Sequence, residues 1–377
     1  MLQQTQVKTV IPYWERWMRE LPTIESLARA NADKIHKLWE GLGYYTRVRN
    51  LQKAAQQIIG EHDGQFPQTF DAVLALPGIG RYTAGAICSI AFNQPAPILD
   101  GNVIRVLTRI NGIKTDPREK QTNAQLWQHA EQLVVAAHTI GFQPKQFPSF
   151  ANFAAARDIP RCSSLNQSLM ELGALICTPR SPNCTVCPVQ KDCIAHKENL
   201  QDQLPNLGKR EATTERRFIA FVVERDGKFL VRQRPADVVN AHLWEFPNAE
   251  IGARVSDTQQ PNRGKQSSNG NSNHSQMQLT APRSVAKELG VRITAAKPLC
   301  LIKHSITRYR ITLEAWRAEL TAPNRAPVSD LASVVRSTPG RRTALHDGDW
   351  RTLAQLHKVA FTSAHKKILA RLGAPIT

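Results

Sequence analysis

No stretch of this sequence approaches the ~20 consecutive apolar residues that a membrane-spanning helix needs. The N-terminal MLQQTQVKTVIPYW has neither a basic opening nor a greasy core, so a secretory signal is not expected. Acidic residues are the scarce charge: 31 Asp and Glu stand against 49 Lys and Arg, a net charge of +18. Such an excess points to a polyanionic partner, usually nucleic acid, although a merely soluble basic surface gives the same count. Strand-like alternation is scarce before residue 194. The seven cysteines are an odd number in a chain without an export signal, which argues against a disulfide framework.

What is present suggests two domains, since 377 residues exceed what one compact core usually needs. Residues 1–194 read as helical. Ala32–Trp39, Asn50–Ile59, Phe70–Ala75, Thr83–Phe92 and Asn102–Ile110 carry apolar residues at three-to-four spacing. His138–Ser164 lacks periodicity and reads as a loop inserted between helices. Residues 195–215 are polar and read as a linker. Beyond it the pattern turns to strands at Phe218–Glu224, Lys228–Arg232, Leu299–Ile302 and Tyr309–Glu319, with Asp226-Gly227 as a hairpin turn. Short helices are expected at Ser284–Leu289 and Ala360–Leu372. Residues 256–278 are rich in Ser, Asn, Gln and Gly and are expected to be a disordered loop. The fold class is therefore multi-domain: mostly α over 1–194, then α+β over 216–377.

Four of the cysteines, Cys177, Cys184, Cys187 and Cys193, are spaced C-x6-C-x2-C-x5-C. Four thiolates in one short stretch suit a [4Fe–4S] cluster or structural zinc. Zinc ribbons usually set two C-x2-C pairs farther apart. Cys88 lies on an apolar helical face and reads as core packing. Leu76-Pro-Gly-Ile-Gly80 lies between two helical segments, and Gly78 and Gly80 permit a tight turn. The helix that follows offers free N–H groups to a phosphate, although the short string also occurs in ordinary turns. Asp100 follows twenty positions after Gly80, in Leu99-Asp-Gly-Asn102. A carboxylate there can sit near a sugar; it is equally the residue type of a plain helix N-cap.

In combination, the hairpin, the aspartate and the cysteine spacing resemble the endonuclease III superfamily. Leu2-Gln-Gln-Thr-Gln6, Leu38-Trp-Glu-Gly-Leu-Gly-Tyr-Tyr45, Ile98-Leu-Asp-Gly-Asn-Val103 and Leu165-Asn-Gln-Ser-Leu-Met-Glu-Leu-Gly173 resemble its adenine DNA glycosylase (MutY) branch. The resemblance covers almost all of 1–194 and continues more weakly beyond. It implies excision of adenine opposite 8-oxoguanine or guanine in duplex DNA, with the base drawn out of the stack. It implies that Gln4 and Tyr44 wedge into the duplex, that Leu2 and Gln167 line the adenine pocket with Gln3 beside them, and that Asp100 stabilises an oxocarbenium-like sugar. Asn102 would orient Asp100, and Tyr82 would lie nearby. Bifunctional relatives carry a lysine where this chain has Tyr82, so base removal without an efficient lyase step is expected. The four cysteines would hold a [4Fe–4S] cluster. A monomer located in the cytoplasm, on the nucleoid, is the accompanying expectation.

By the same resemblance a general-acid glutamate stands two residues before the methionine that is Met1 here, so this chain is expected to lack it. The second domain resembles a Nudix fold, from Phe218 through Leu243-Trp-Glu-Phe-Pro247. Its box segment Arg283–Val291 keeps Glu288 but has Ser284 and Lys287 at acidic positions, which argues against pyrophosphatase chemistry. In the family this domain reads 8-oxoguanine, which would fall to Thr307 and Arg308. The alternatives are an endonuclease III-like lyase, opposed by Tyr82; a mismatch-binding protein that does not cut; and a Nudix hydrolase.

Overall fold

The computed structural model describes residues 1–2, 5–139, 160–208, 212–251, 293–306, 308–320 and 348–373. Contacts gather the chain into two units, residues 50–210 and residues 1–49 together with 211–377.

In the first unit, helix α4 (Thr46–Glu61), where the division falls, is followed by α5 (Phe70–Leu74) and α6 (Arg81–Phe92). Then come α7 (Gly101–Ile110), α8 (Lys120–Thr139), α9 (Arg161–Glu171) and α10 (Ile194–Lys197). Helix α7 is the centre of this unit, with Val103, Val106 and Leu107 in a core shared with Ile98, Leu126 and Leu169. An apolar stripe alone would make α7 an ordinary amphipathic helix. It also buries Arg105 and Arg109 on the same turn-to-turn line, and these two cations organise the site. Cys88 is fully buried on α6, as its apolar neighbours imply. Gly85 is required by packing, since a Cβ there would stand 2.0 Å from the Pro97 carbonyl oxygen.

The second unit begins with α1 (Val7–Glu20), α2 (Ile24–Ala28) and α3 (Ala32–Trp39). Its later part is a mixed sheet of β1 (Thr214–Arg225), β2 (Lys228–Gln233), β3 (Trp244–Glu245), β4 (Asn248–Ile251), β5 (Ile293–Ile306), β6 (Tyr309–Leu320) and β7 (Asp349–Thr352). Along the sheet the order is β3-β2-β1-β6-β5, with β4 on β1 and β7 on β2. Only β1 and β6 run parallel among these pairs. Residues 219–223 of β1 are all buried because both faces of the sheet are covered. Ala220 and Val222 face one core, with Phe246, Phe361 and Ile368, while Ile219, Phe221 and Val223 face the other. Helices α11 (Leu353–Leu356) and α12 (Ser363–Leu372) close the first of these faces.

The helices and strands read from periodicity are present, most with longer ends. Asp226 and Gly227 have φ of 50° and 68°, the pair of positive values that a tight two-residue hairpin turn requires. Two readings need correcting. The stretch His138–Ser164 is not a loop at its ends: α8 continues to Thr139 and α9 starts at Arg161, because Val134 and Cys162 are buried there. The terminal helix starts at Ser363 rather than Ala360, since Phe361 is drawn into a bridge with Trp244. Residues 140–159, the polar stretch 256–278, Ser284–Leu289 with the box residues Lys287 and Glu288, and Gln3, Gln4 and Thr307 lie outside the described residues.

Candidate functional site: a helix hairpin, a capping aspartate and a cysteine loop

The turn between α5 and α6 is shaped by one glycine. Gly78 has φ of +79°, and a Cβ there would meet Asn50 Cβ at 2.6 Å. Gly80 differs: φ is −97°, and an added Cβ would meet nothing within 4 Å. It is the N-cap of α6, and no side chain caps that end. The first-turn N–H groups of α6 therefore have no side-chain acceptor from the N-cap position, and Gly80 keeps their approach open. Arg81 opens α6 with its guanidinium 4.0 Å above the Trp127 ring.

Asp100 is the N-cap of α7. Its Oδ1 accepts from the Asn102 N–H at 2.9 Å and the Val103 N–H at 2.8 Å, and Oδ2 receives the Asn102 amide at 3.3 Å. Asn102 Oδ1 in turn accepts from Arg105 Nη2 at 2.9 Å. Arg105 is 9% exposed and also donates to the carbonyls of Gly173 (2.6 Å) and Cys177 (2.7 Å). Burial lowers its pKa, against the opposing pull of Cys177 and Asp100. A continuous chain of polar contacts thus runs from the aspartate to the first cysteine. It needs α7 to lie close under residues 172–176, where a Cβ on Gly173 would stand 2.7 Å from Asn102 Cβ. Tyr82, the second residue of α6, donates to Met170 Sδ at 3.5 Å. Burial, and then the charge of Asp100, raise its hydroxyl above the ordinary value.

One turn further along α7, Arg109 is 2% exposed and donates to five acceptors. These are the carbonyls of Leu204, Thr178, Pro179 and Gln201, and Cys177 Sγ at 3.3 Å. Cys193 Sγ lies 3.5 Å from the Arg109 carbonyl oxygen. All four cysteines line one cavity with Arg109. Burial raises the Cys187 thiol, and the nearby Cys177, Cys193 and Cys184 add to the rise. Among the described residues no three His, Cys, Asp or Glu side chains converge closely enough to hold a single ion. The donor set is four thiols around a shared cavity beside a buried cation, the ligand chemistry that thiolate-bound iron or zinc requires.

The structure brings Asp100, Asn102 and Tyr82 together, and gathers the four cysteines. Gln167 is exposed on α9 and folds back onto Ser163 Oγ at 2.9 Å; no described contact joins it to Asp100. In the other unit, Leu2 and Tyr44 are 59% and 57% exposed, and Arg47 lies 4.9 Å from the Tyr44 ring centroid. Tyr45 is buried, as helix-end packing implies, with its hydroxyl accepting from the Gly41 N–H. Arg308 sits at the tip of the β5–β6 hairpin with its guanidinium 5.4 Å from the Tyr309 ring centroid. Sequence reasoning missed Arg105 and Arg109. Two arginines four apart on the face of α7 away from its apolar stripe carry no sequence signal of burial.

Residues 1–132 match the model of the HhH-GPD superfamily of base excision DNA repair proteins, and residues 219–371 match a NUDIX domain. An adenine DNA glycosylase of Rattus norvegicus is 38% identical over 295 residues, covering 67% of this chain and 53% of that protein. The Homo sapiens adenine DNA glycosylase is 37% identical over 294 residues, covering 66% and 50%. The chain thus spans about half the length of these curated relatives. A solved thermostable thymine-DNA glycosylase aligns with 25% identity over 52% of this chain and 80% of its own, at a TM-score of 0.42. The chain thus carries an HhH-GPD superfamily domain followed by a NUDIX domain, in the order seen in the fold, and it is similar to adenine DNA glycosylases.

Proposed function

We propose that this chain is a base-excision repair glycosylase that removes adenine opposite 8-oxoguanine or guanine in duplex DNA. The observation that carries this reading is Asp100. It is held by Asn102, which Arg105 holds in turn, has Tyr82 beside it, and shares a unit with a helix hairpin and a four-cysteine loop. In this reading residues 1–194 form the glycosylase domain, 195–215 a linker and 216–377 the domain that reads the lesion. The backbone around Gly78 and Gly80 holds a phosphate at the N-terminus of α6. Asp100 stabilises positive charge on the sugar as the glycosidic bond breaks, through the carboxylate oxygen that its backbone caps leave free. Asn102 holds the carboxylate plane, and Tyr82 stands in place of the amine that an efficient Schiff-base step to strand cleavage uses. Leu2, Gln3 and Gln167 contact the adenine, Gln4 and Tyr44 enter the stack, and Thr307 and Arg308 face the opposite strand.

Cys177, Cys184, Cys187 and Cys193 hold a [4Fe–4S] cluster, which when bound supplies four covalent ties across the 177–193 loop. The chain acts as a monomer. Among the described residues no helix is long and apolar enough to cross a membrane. The test is single-turnover base release from duplexes carrying A opposite 8-oxoguanine, A opposite guanine, or an oxidised pyrimidine. The protein is this chain, extended upstream where the gene encodes more. Adenine release without strand cleavage is expected, with Asp100→Asn abolishing release and keeping affinity. Cleavage at the oxidised pyrimidine would favour the lyase reading, and binding without release would favour a protein that only marks the mismatch.

A further inference from the structure

We propose that Glu40 is a positioning residue that couples the turn bearing Tyr44 to the sheet domain, so that the base engaged by that domain governs how firmly Tyr44 enters the duplex. The proposal rests on the roles given above to Tyr44 and to the lesion-reading domain.

Glu40 ends α3, where a carboxylate would ordinarily project into water, yet it is 6% exposed. A buried charge persists only when it is paired and hydrogen-bonded. Two of its three partners come from the far end of the chain. Oε1 accepts from the Phe361 N–H at 2.9 Å, and Oε2 meets Lys37 Nζ and Lys366 Nζ, each at 2.9 Å. Lys37 also donates to the Val359 carbonyl at 3.1 Å. Burial pushes the Glu40 carboxyl up, but the Phe361 N–H and the two lysines bring it below the ordinary value. Phe361 belongs to the sheet core: it is fully buried, bridges to Trp244, and packs against Phe246 at 5.6 Å between ring centroids. Glu40 therefore grips the backbone of the core and the first turn of α12.

On its other side Glu40 opens the turn that presents Tyr44. Gly41, Gly43 and Tyr44 have φ of 108°, 72° and 47°. A tyrosine in that region is held there by its surroundings. Those surroundings are Trp39 Nε1 on the Gly43 carbonyl (2.9 Å), the Gly41 N–H on the Tyr45 hydroxyl (3.1 Å) and the Tyr13 hydroxyl on the Glu40 carbonyl (3.1 Å). A shift of Phe361 and α12 thus reaches the Tyr44 turn through the Glu40 carboxylate, with Lys37 on the Val359 carbonyl beside it. Arg49 on the Ala241 carbonyl and the stacked His36–His242 rings tie α4 and α3 to residues 241 and 242, independently of Glu40. Loss of Glu40 alone therefore leaves them joined.

The test compares the wild-type chain with Glu40→Ala, Glu40→Gln and Lys366→Met. Dissociation constants are measured for duplexes with A opposite 8-oxoguanine, A opposite guanine and A opposite thymine. Fluorescence of 2-aminopurine in place of the adenine reports unstacking, and thermal melts report folding. The wild type is expected to prefer the 8-oxoguanine duplex. Glu40→Ala should lose about tenfold of that preference, within the usual range of coupling between two sites. It should also lose most of the fluorescence rise, with undamaged-duplex affinity unchanged. Glu40→Gln, which keeps an acceptor for the Phe361 N–H, should recover part of both. Lys366→Met, at an exposed position, should show the intermediate loss even where Glu40→Ala folds poorly. Folded Glu40 and Lys366 variants with full preference and full fluorescence would overturn the coupling while leaving the proposed function standing. A wild type with no preference for 8-oxoguanine would sink the functional reading and the coupling with it.

Discussion

Gly78 and Gly80 are two residues apart in one turn, and the structure assigns them opposite fates on substitution by alanine. Gly78→Ala places a side chain at φ +79° and brings a Cβ to 2.6 Å from both Cβ and Nδ2 of Asn50. The left-handed conformation alone costs about 1–2 kcal/mol for a residue with a Cβ. The Asn50 contact adds to this, because Cβ is not the movable end of that side chain. A total of about 3 kcal/mol lowers the melting temperature by roughly 6–12 °C for a unit of this size. Gly80→Ala meets no atom, at an ordinary φ. It removes some unfolded-state freedom, which stabilises by about 0.4–1 kcal/mol. It also replaces a tolerable N-cap by a poor one, which costs a similar amount. The net change should stay within about 0.5 kcal/mol. Its Cβ nevertheless stands on the open side of Gly80, where a phosphate would approach the N-terminus of α6. The assays are thermal unfolding and duplex binding by anisotropy at two salt concentrations. Gly80→Ala should melt like wild type and bind DNA at least about tenfold more weakly, since each lost phosphate contact weakens salt-dependent affinity. Wild-type binding by a well-folded Gly80→Ala protein would refute phosphate docking at this turn.

Arg105→Lys keeps the charge but not the fork that reaches Asn102, Gly173 and Cys177 together. It should slow adenine release at least about tenfold with little change in DNA affinity. Single-turnover kinetics beside binding checks this, and an unchanged rate would free Asp100 from dependence on the chain of contacts. Cys184→Ser should lose the visible absorption and iron of a [4Fe–4S] protein, read by absorbance and iron assay. Stoichiometric zinc with no iron in the wild type would instead make the loop a zinc site. His365 is buried, and its Nδ1 accepts from the Phe246 N–H at 3.1 Å. Burial lowers its pKa to about 4, against the pull of Glu245. The folded value lies below the unfolded ~6.5, so the unfolded chain takes up the proton first as pH falls. Stability is full above pH ~6.5 and declines towards pH 4, by about 2 kcal/mol at pH 5. Denaturant midpoints at pH 7 and pH 5 measure it, and equal midpoints would show that His365 is already charged in the fold.

Local signals were legible in the sequence because their physics is local. The Asp226-Gly227 turn needs positive φ at two adjacent residues, and that residue pair supplies it. The helices of residues 32–110 follow from apolar spacing, and the gathering of four cysteines round one cavity from their place within one short loop. Tertiary structure alone decided what reaches across the chain. Arg105 and Arg109 look like surface residues of an amphipathic helix until partners 68 to 95 positions away fold over them. Glu40 looks like a solvated helix end until Phe361, 321 positions later, buries it. Ends of elements were misjudged for the same reason: Ser363 starts the last helix because Phe361 is held by Trp244, not because of anything in its own segment. A buried charge is stable only with partners in place, and local periodicity cannot name partners that only the folded chain brings near.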